Sequence, residues 1–234
     1  MKYLYLLVLV SGSFNVACQA TIGEVKYKLM INDDAMFDKG PDADFFKVAK
    51  ESSHFLSYTL RFNLEESVFS LDPIMDDRGT VAIAIAFSGI SGKFYNIRNS
   101  KTLLNEIDDE DFGKIIIKSQ TDYQWDLSDE SKIIDGFMCF KASRIITIDN
   151  GKLGVFKRTI FAWYCPAIPA PFGPVGESGL PGLILELHNR NVVLGVTKID
   201  LNTNKKFEIT KPSKGKWLSD KEYLKFLDNK INED

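Results

Sequence analysis

Gly136–Asp149 reads GFMCFKASRIITID and Leu153–Cys165 reads LGVFKRTIFAWYC, with Asn150-Gly151 between them. Two strand-like runs around a favoured hairpin turn pair make an antiparallel ribbon. Charge decides its register. A two-residue turn sets Arg144 opposite Lys157, an unfavourable like-charge pair, and sends Cys139 and Cys165 to opposite faces. A five-residue loop, Asn150 to Gly154, sets Arg144 opposite Ile160, Lys141 opposite Trp163 and Cys139 opposite Cys165. A bulge would relieve the charge clash as well.

The rest of the chain carries the same signal. EVKYKLMI (Glu24–Ile31) alternates apolar and basic residues, as a half-buried strand does. FLSYTLRF and VFSLDP flank the turn residues NLEES and form a second hairpin. VAIAIAF, KFYNIRN, KIIIKSQ, YQWDL, LILELH, VVLGVTKIDL and KFEIT are further strand candidates. NDDAMFDKGPDADFFKVAK reads as a loop that can include a short helix. Near the end, Ser219 and Glu222 make a capping-box pattern, and Leu224, Leu227 and Ile231 recur at helical spacing. No βαβ rhythm, fixed-period repeat or linker is visible. The expected fold is mainly β: a curved antiparallel sheet or partial barrel with a C-terminal helix.

The chain has 234 residues, 44% of them hydrophobic, enough for one domain with a real core. Its net charge of −3 leaves no basic footprint for nucleic acid. MKYLYLLVLVSGSFNVACQA has the anatomy of a secretory signal peptide: Lys2, an apolar run from Tyr3 to Val10, then small residues. Residues 1–20 are expected to leave by cleavage after Ala20, and residues 21–234 to form one β-rich domain. Lipidation of Cys18 is the rival, with Asn15 a poor match to a lipoprotein signal. The expected location is the periplasm or the outer membrane, with no transmembrane segment.

Two histidines and no CxxC make a zinc site of the usual kind unconvincing. The acidic run NEIDDEDF lacks the glycine and spaced ligands of a calcium loop and reads as a solvated loop. No cofactor is expected. For catalysis, Ser178 and His188 are the one tempting pair, yet no spacing puts them on one face and no third group can be singled out. His54 reads as a surface or strand residue. Lys141, Arg158 and Trp163 could line a site, and a strand face with cation–aromatic contact explains them as well.

The stretch GPVGESGLPGLILEL (Gly173–Leu187) fits neither a phosphate loop, nor a dinucleotide fingerprint, nor a nucleophile elbow. It reads as a turn at Pro181-Gly182, with Gly182 at positive φ, feeding a strand buried on both faces. Upstream, CPAIPAPFGPVGESG holds four prolines that stiffen the loop. It is either a rigid connection between two core strands or a surface for a peptide or partner. In the second case its contacts are Trp163, Tyr164, Ile168, Pro169, Phe172, Gly173, Pro174, Leu180 and Pro181.

Gly179–Ile184, GLPGLI, together with Trp125, Gly136, Cys139, Lys141-Ala142, Ala162-Trp163-Tyr164, Ile168-Pro169 and Gly173-Pro174, resembles the ordered pattern of the GLPGLI family. The resemblance runs from about Tyr123 to Leu187. It implies an exported protein of Bacteroidota with no assigned activity, and some members lie beside outer-membrane import receptors. The resulting expectation is a non-catalytic envelope protein that binds an outer-membrane or periplasmic protein or peptide; a secreted hydrolase is the alternative. Cys165 departs from the family pattern and supplies a partner for Cys139, so a Cys139–Cys165 disulfide is expected in an oxidising compartment, with two buried thiols as the alternative. On the chain-entropy argument it would stabilise by about 3 to 4 kcal/mol.

Overall fold

The structure is a computed structural model that describes residues 22–35, 37, 39–74, 79–109, 111–149, 154–201 and 208–233. The signal-peptide and Cys18 readings, and the Asn150-Gly151 turn itself, lie outside the described residues.

Twelve strands form one sheet. In chain order they are β1 (Gly23–Ile31), β2 (Ser57–Phe62), β3 (Glu66–Leu71), β4 (Lys93–Ile97), β5 (Thr102–Asp109), β6 (Gly113–Gln120), β7 (Asp126–Ile134), β8 (Phe137–Asp149), β9 (Val155–Cys165), β10 (Leu183–Asn189), β11 (Val192–Leu201) and β12 (Lys216–Ser219). Among the described residues three α-helices accompany them: α1 (Ala43–Ser53), α2 (Thr80–Ser88) and α3 (Asp220–Glu233). The spatial order is β12-β6-β5-β4-β3-β2-β1-β11-β10-β9-β8-β7. Two meanders therefore meet at the antiparallel β1–β11 pair. Every pairing is antiparallel except β12 on β6.

One connection forces the sheet to curve. β6 and β7 stand near opposite ends of the order, yet only residues 121–125 join them. A flat sheet would hold them roughly 48 Å apart at about 4.8 Å per strand. The chain from Gln120 to Asp126 reaches about 20 Å at most. The expectation of a mainly β, curved sheet with a C-terminal helix is therefore met.

Alternation does what it should in β1, whose odd positions from Val25 to Ile31 are buried while Lys26 and Lys28 are not. Tyr27, Tyr58, Leu60 and Phe62 fill the core beside it. At α3 the capping box forms: the Ser219 N–H donates to Glu222 Oε2 at 2.7 Å, and the Glu222 N–H faces Ser219 Oγ at 3.4 Å.

Several local readings differ from the structure: in KFEIT the described residues Glu208–Thr210 are not in a strand, and only Asp126 and Leu127 of YQWDL are. VAIAIAF lies in helix α2, not in a strand. Its alternation is of Ala with Val or Ile, apolar on both sides, so the period of two carried no inside–outside signal. Alanine's helix propensity and the left-handed glycines at either end, Gly79 (φ 70°) and Gly89 (φ 66°), settle the conformation. Phe87 then packs on Phe37 and Phe46, which secures α2 against α1. Asn105–Asp109, read as solvated loop, belongs to β5. Lys93 and Lys114 flank Glu106, and Lys230 reaches Asp109, so these two carboxylates are paired where they stand. Gly182 does not have positive φ; Gly179 does, at 87°.

The long hairpin has the register with a five-residue loop. Lys141 pairs with Trp163, Arg144 with Ile160, and Phe140 with Tyr164, which carries Cys139 to the position opposite Cys165. The expected disulfide is not closed: both residues are free, buried thiols. The Cys139 thiol donates to the Phe137 carbonyl oxygen at 3.5 Å, and the closeness of the two sulfurs pushes the pKa of Cys139 up and that of Cys165 down. That hydrogen bond satisfies the buried Cys139 S–H in the reduced state.

Candidate functional site

Residues 166–182 leave β9, cross the inner face of the curved sheet and return as β10, packing on β3 and β4. A loop buried this way must satisfy its carbonyls. Side chains from two segments, the end of β4 and residues 121–125, do so, and one from β1 holds the start of β10. Arg98 Nη2 donates to Pro169 O at 3.1 Å. Asn96 Nδ2 and Tyr123 Oη both donate to Gly176 O, at 2.7 and 2.6 Å. Trp125 Nε1 donates to Ser178 O at 2.9 Å, and Tyr27 Oη to Ile184 O at 2.6 Å. The glycines are there for closeness. A Cβ on Gly182 would sit 2.2 Å from the Cys165 carbonyl oxygen, and one on Gly173 would sit 2.7 Å from the Ile184 side chain.

Glu177 is the single ionisable residue between Pro166 and Gly182. It reaches Arg144 of β8 in a two-pronged pair, Nη2 to Oε1 at 2.6 Å and Nε to Oε2 at 3.0 Å. Both side chains are nearly enclosed, at 15% and 14% exposure. The guanidinium lies 5.4 Å from the ring centroids of both Tyr123 and Trp125. Burial pushes the Glu177 carboxyl above its ordinary range, and Arg144 opposes that rise. Burial and the Glu177 charge push the Tyr123 phenol up to about 12, so it stays a hydrogen-bond donor.

Beside this pair lies a cavity of about 200 Å³. Ile146, Ile160, Leu187 and Leu194 supply apolar wall; Ser88, Asn189 and Glu177 supply polar groups. Asn189 is held by Arg158 Nη1 at 3.0 Å. Val175, also in the wall, has φ 54°, an uncommon conformation for a β-branched residue. The cavity can take a small, largely apolar molecule with one or two polar groups.

The residues singled out from sequence divide between surface and core. Ile168, Phe172 and Leu180 are 1%, 1% and 2% exposed, and Tyr164 is buried too. Gly173 and Pro174 are likewise buried. A partner could touch only Trp163, Pro169 and Pro181 without opening the loop. Trp163 stands on the opposite face of β9 from Ile160, beneath Lys132 Nζ at 4.4 Å and near Lys141 at 6.0 Å. Arg158 is on the cavity side, so these three do not share a site. Ser178 and His188 are also separated. Leu187 and Asn189 face the cavity, whereas Glu186 and His188 alternate to the other face, where Glu186 bonds to Lys132 and His188. His54 packs on Phe55. Arg144, Glu177, Asn96 and Arg98 escaped the sequence reading; a lone acid in an uncharged proline–glycine loop was the one available clue.

Fold and cavity describe a β-rich protein with a loop-filled, curved sheet. Within that class, the family model described as "Protein of unknown function (Porph_ging)" matches residues 152–186, which span β9, the loop and the start of β10. No curated protein matches the chain. Two solved structures are similar, PNGF-II in its C2 and P21 space groups, at 12% and 13% identity and TM-scores of 0.47 and 0.48. They cover 80% and 88% of this chain, which spans 29% and 32% of theirs.

Proposed function

We propose that this is a GLPGLI-family protein of the cell envelope that binds a small amphiphile in the inner cavity without turning it over. The cavity carries the reading: apolar wall on several sides, with Glu177, Asn189 and Ser88 converging on it. Arg144 already uses one face of the Glu177 carboxylate, and the remaining lone pairs accept from a hydroxyl or amine. A volume of about 200 Å³ suits a short chain or single ring. Export by the N-terminal segment and work beside an outer-membrane or periplasmic partner belong to the same proposal. The separation of Ser178 from His188 weighs against the hydrolase reading that rests on that pair.

Calorimetric titration with hexanol, hexylamine and hexane-saturated buffer tests it. Saturable binding of the alcohol or amine is expected, lost when Ile146→Trp fills the cavity from its partly exposed wall. Binding that survives Ile146→Trp, or none at all, overturns the proposed site. Fractionation of cells expressing the chain with a C-terminal tag addresses location: recovery in the cytosol alone rules out the envelope role.

A further inference from the structure

On the other flank of the loop lies a second cleft, of about 130 Å³, whose lining includes Arg98, Ser100, Tyr123, Pro171, Phe172 and Ser178. Arg98 opens the turn after β4, and its backbone N–H donates to Glu65 O at 2.6 Å. The next residue, Asn99, has φ 58°. The guanidinium makes one hydrogen bond, to the Pro169 carbonyl. Its Nε is fully enclosed and bonded to nothing, and among the described residues no carboxylate pairs with it. Thr121 Oγ1, two residues from Tyr123, is likewise enclosed and unpartnered.

A half-buried guanidinium without a counter-ion is unfavourable in isolation. Its fork is suited to a planar oxyanion. We propose that this cleft is a binding site for a monocarboxylate, with the carboxylate on Arg98 and its small organic end against Phe172 and Pro171. Charge selects the class. Arg98 is the one cation lining the cleft, which matches a single negative charge; a phosphate dianion would call for a second. The hydroxyl of Ser100 accepts the Thr102 N–H at 3.0 Å and keeps its own proton to donate. The volume admits a carboxylate with a few carbons, either a free organic acid or the C-terminus of a peptide. The loop that carries the proline–glycine pattern forms one wall, so this site would also account for the pattern's position.

The test is a titration of the whole chain, followed through the Arg98 15Nε–1Hε resonance, with propionate, N-acetylalanine, N-acetylalanine amide and inorganic phosphate. Propionate or N-acetylalanine is expected to shift that resonance saturably, and the amide is not. Tighter binding of N-acetylalanine than of propionate points to peptide termini; the reverse points to free acids. Arg98→Gln is expected to weaken carboxylate binding at least ~10-fold, while Arg61→Gln, whose partner is Glu24 at 2.7 Å, leaves it unchanged. If Arg98→Gln does not fold, the resonance shift in the native chain decides alone. No carboxylate-dependent shift, equal response to the amide, or tighter binding of phosphate overturns the proposal.

Discussion

Arg144 and Glu177 form a bidentate ion pair between a sheet strand and the loop that fills the sheet, with Tyr123 and Trp125 stacked around the guanidinium. The two residues lie 33 positions apart, so their contact fixes where the loop sits. Removing one partner leaves a buried charge alone. Arg144→Met is therefore expected to cost about 3 to 5 kcal/mol, and adding Glu177→Leu to recover much of it. Urea denaturation of the two variants checks this; a double variant no more stable than Arg144→Met would mean the cost lies in packing.

The same pair sets a pH dependence. Burial raises the Glu177 pKa in the folded state above its ordinary 4.5, with Arg144 pulling the other way. A carboxyl with a raised folded pKa holds its proton more tightly folded than unfolded. Its contribution is complete below the unfolded value and is lost as pH rises through the folded one. Glu177→Gln should flatten that part of the stability curve. Denaturation midpoints between about pH 4 and 7 report it; a slope unchanged by the substitution refutes the assignment to Glu177.

Glycine positions separate two kinds of constraint. Gly113 needs its left-handed φ of 66° but has open space around it, so Gly113→Ala should cost about 1 kcal/mol. Gly182 has no positive φ, yet an added Cβ would lie 2.2 Å from a backbone oxygen of Cys165. Backbone cannot rotate aside as a side-chain tip does, so Gly182→Ala should cost about 3 kcal/mol. Thermal melts of both variants give the order directly, and a larger loss at Gly113 contradicts the close-approach account.

At α3, the Ser219–Glu222 box lowers the Glu222 carboxyl, first through the Ser219 side chain and then its backbone N–H. Its contribution is present above the ordinary carboxylate range and lost as pH falls through the lowered value. Ser219→Ala should cut hydrogen-exchange protection in the first turn of α3 roughly five-fold. Equal protection in both proteins would show that packing on β12 and β6 holds the helix instead.

Much of the sheet was legible because its strands alternate polar with apolar residues, and because Arg144 and Lys157 cannot face each other. α2 was not, since a segment apolar on every side gives neither period any contrast. The loop was harder still. Sequence showed its stiffness but not that the sheet would curl around it, because the curl comes from residues 121–125 linking strands at opposite ends of the order. The surface expected at Ile168, Phe172 and Leu180 is core for that reason. Arg98, Asn96 and Tyr123 had no local pattern to mark them; each acts on a carbonyl more than 50 positions away.

Cys139 and Cys165 face each other across β8 and β9 as reduced, buried thiols. Directly opposed positions in an antiparallel pair place Cα atoms about 4.5 to 5.5 Å apart, within the span of a disulfide. Closing the bond should then need little strand movement. Both residues are 0% exposed, so an oxidant has poor access to them once the chain is folded. Timing is the discriminating observation. Refolding in oxidised glutathione should form the bond: one thiolate attacks glutathione disulfide and releases one glutathione, and the second thiolate then attacks the mixed disulfide and releases the other; the same reagent on folded, reduced protein should act slowly. Thiol counting under denaturing, non-reducing conditions follows both reactions. The oxidised chain should be about 3 to 4 kcal/mol more stable, because the cross-link restricts the unfolded ensemble. Two free thiols after oxidative refolding would show that the pair packs as thiols and that the register, though correct, does not serve a disulfide.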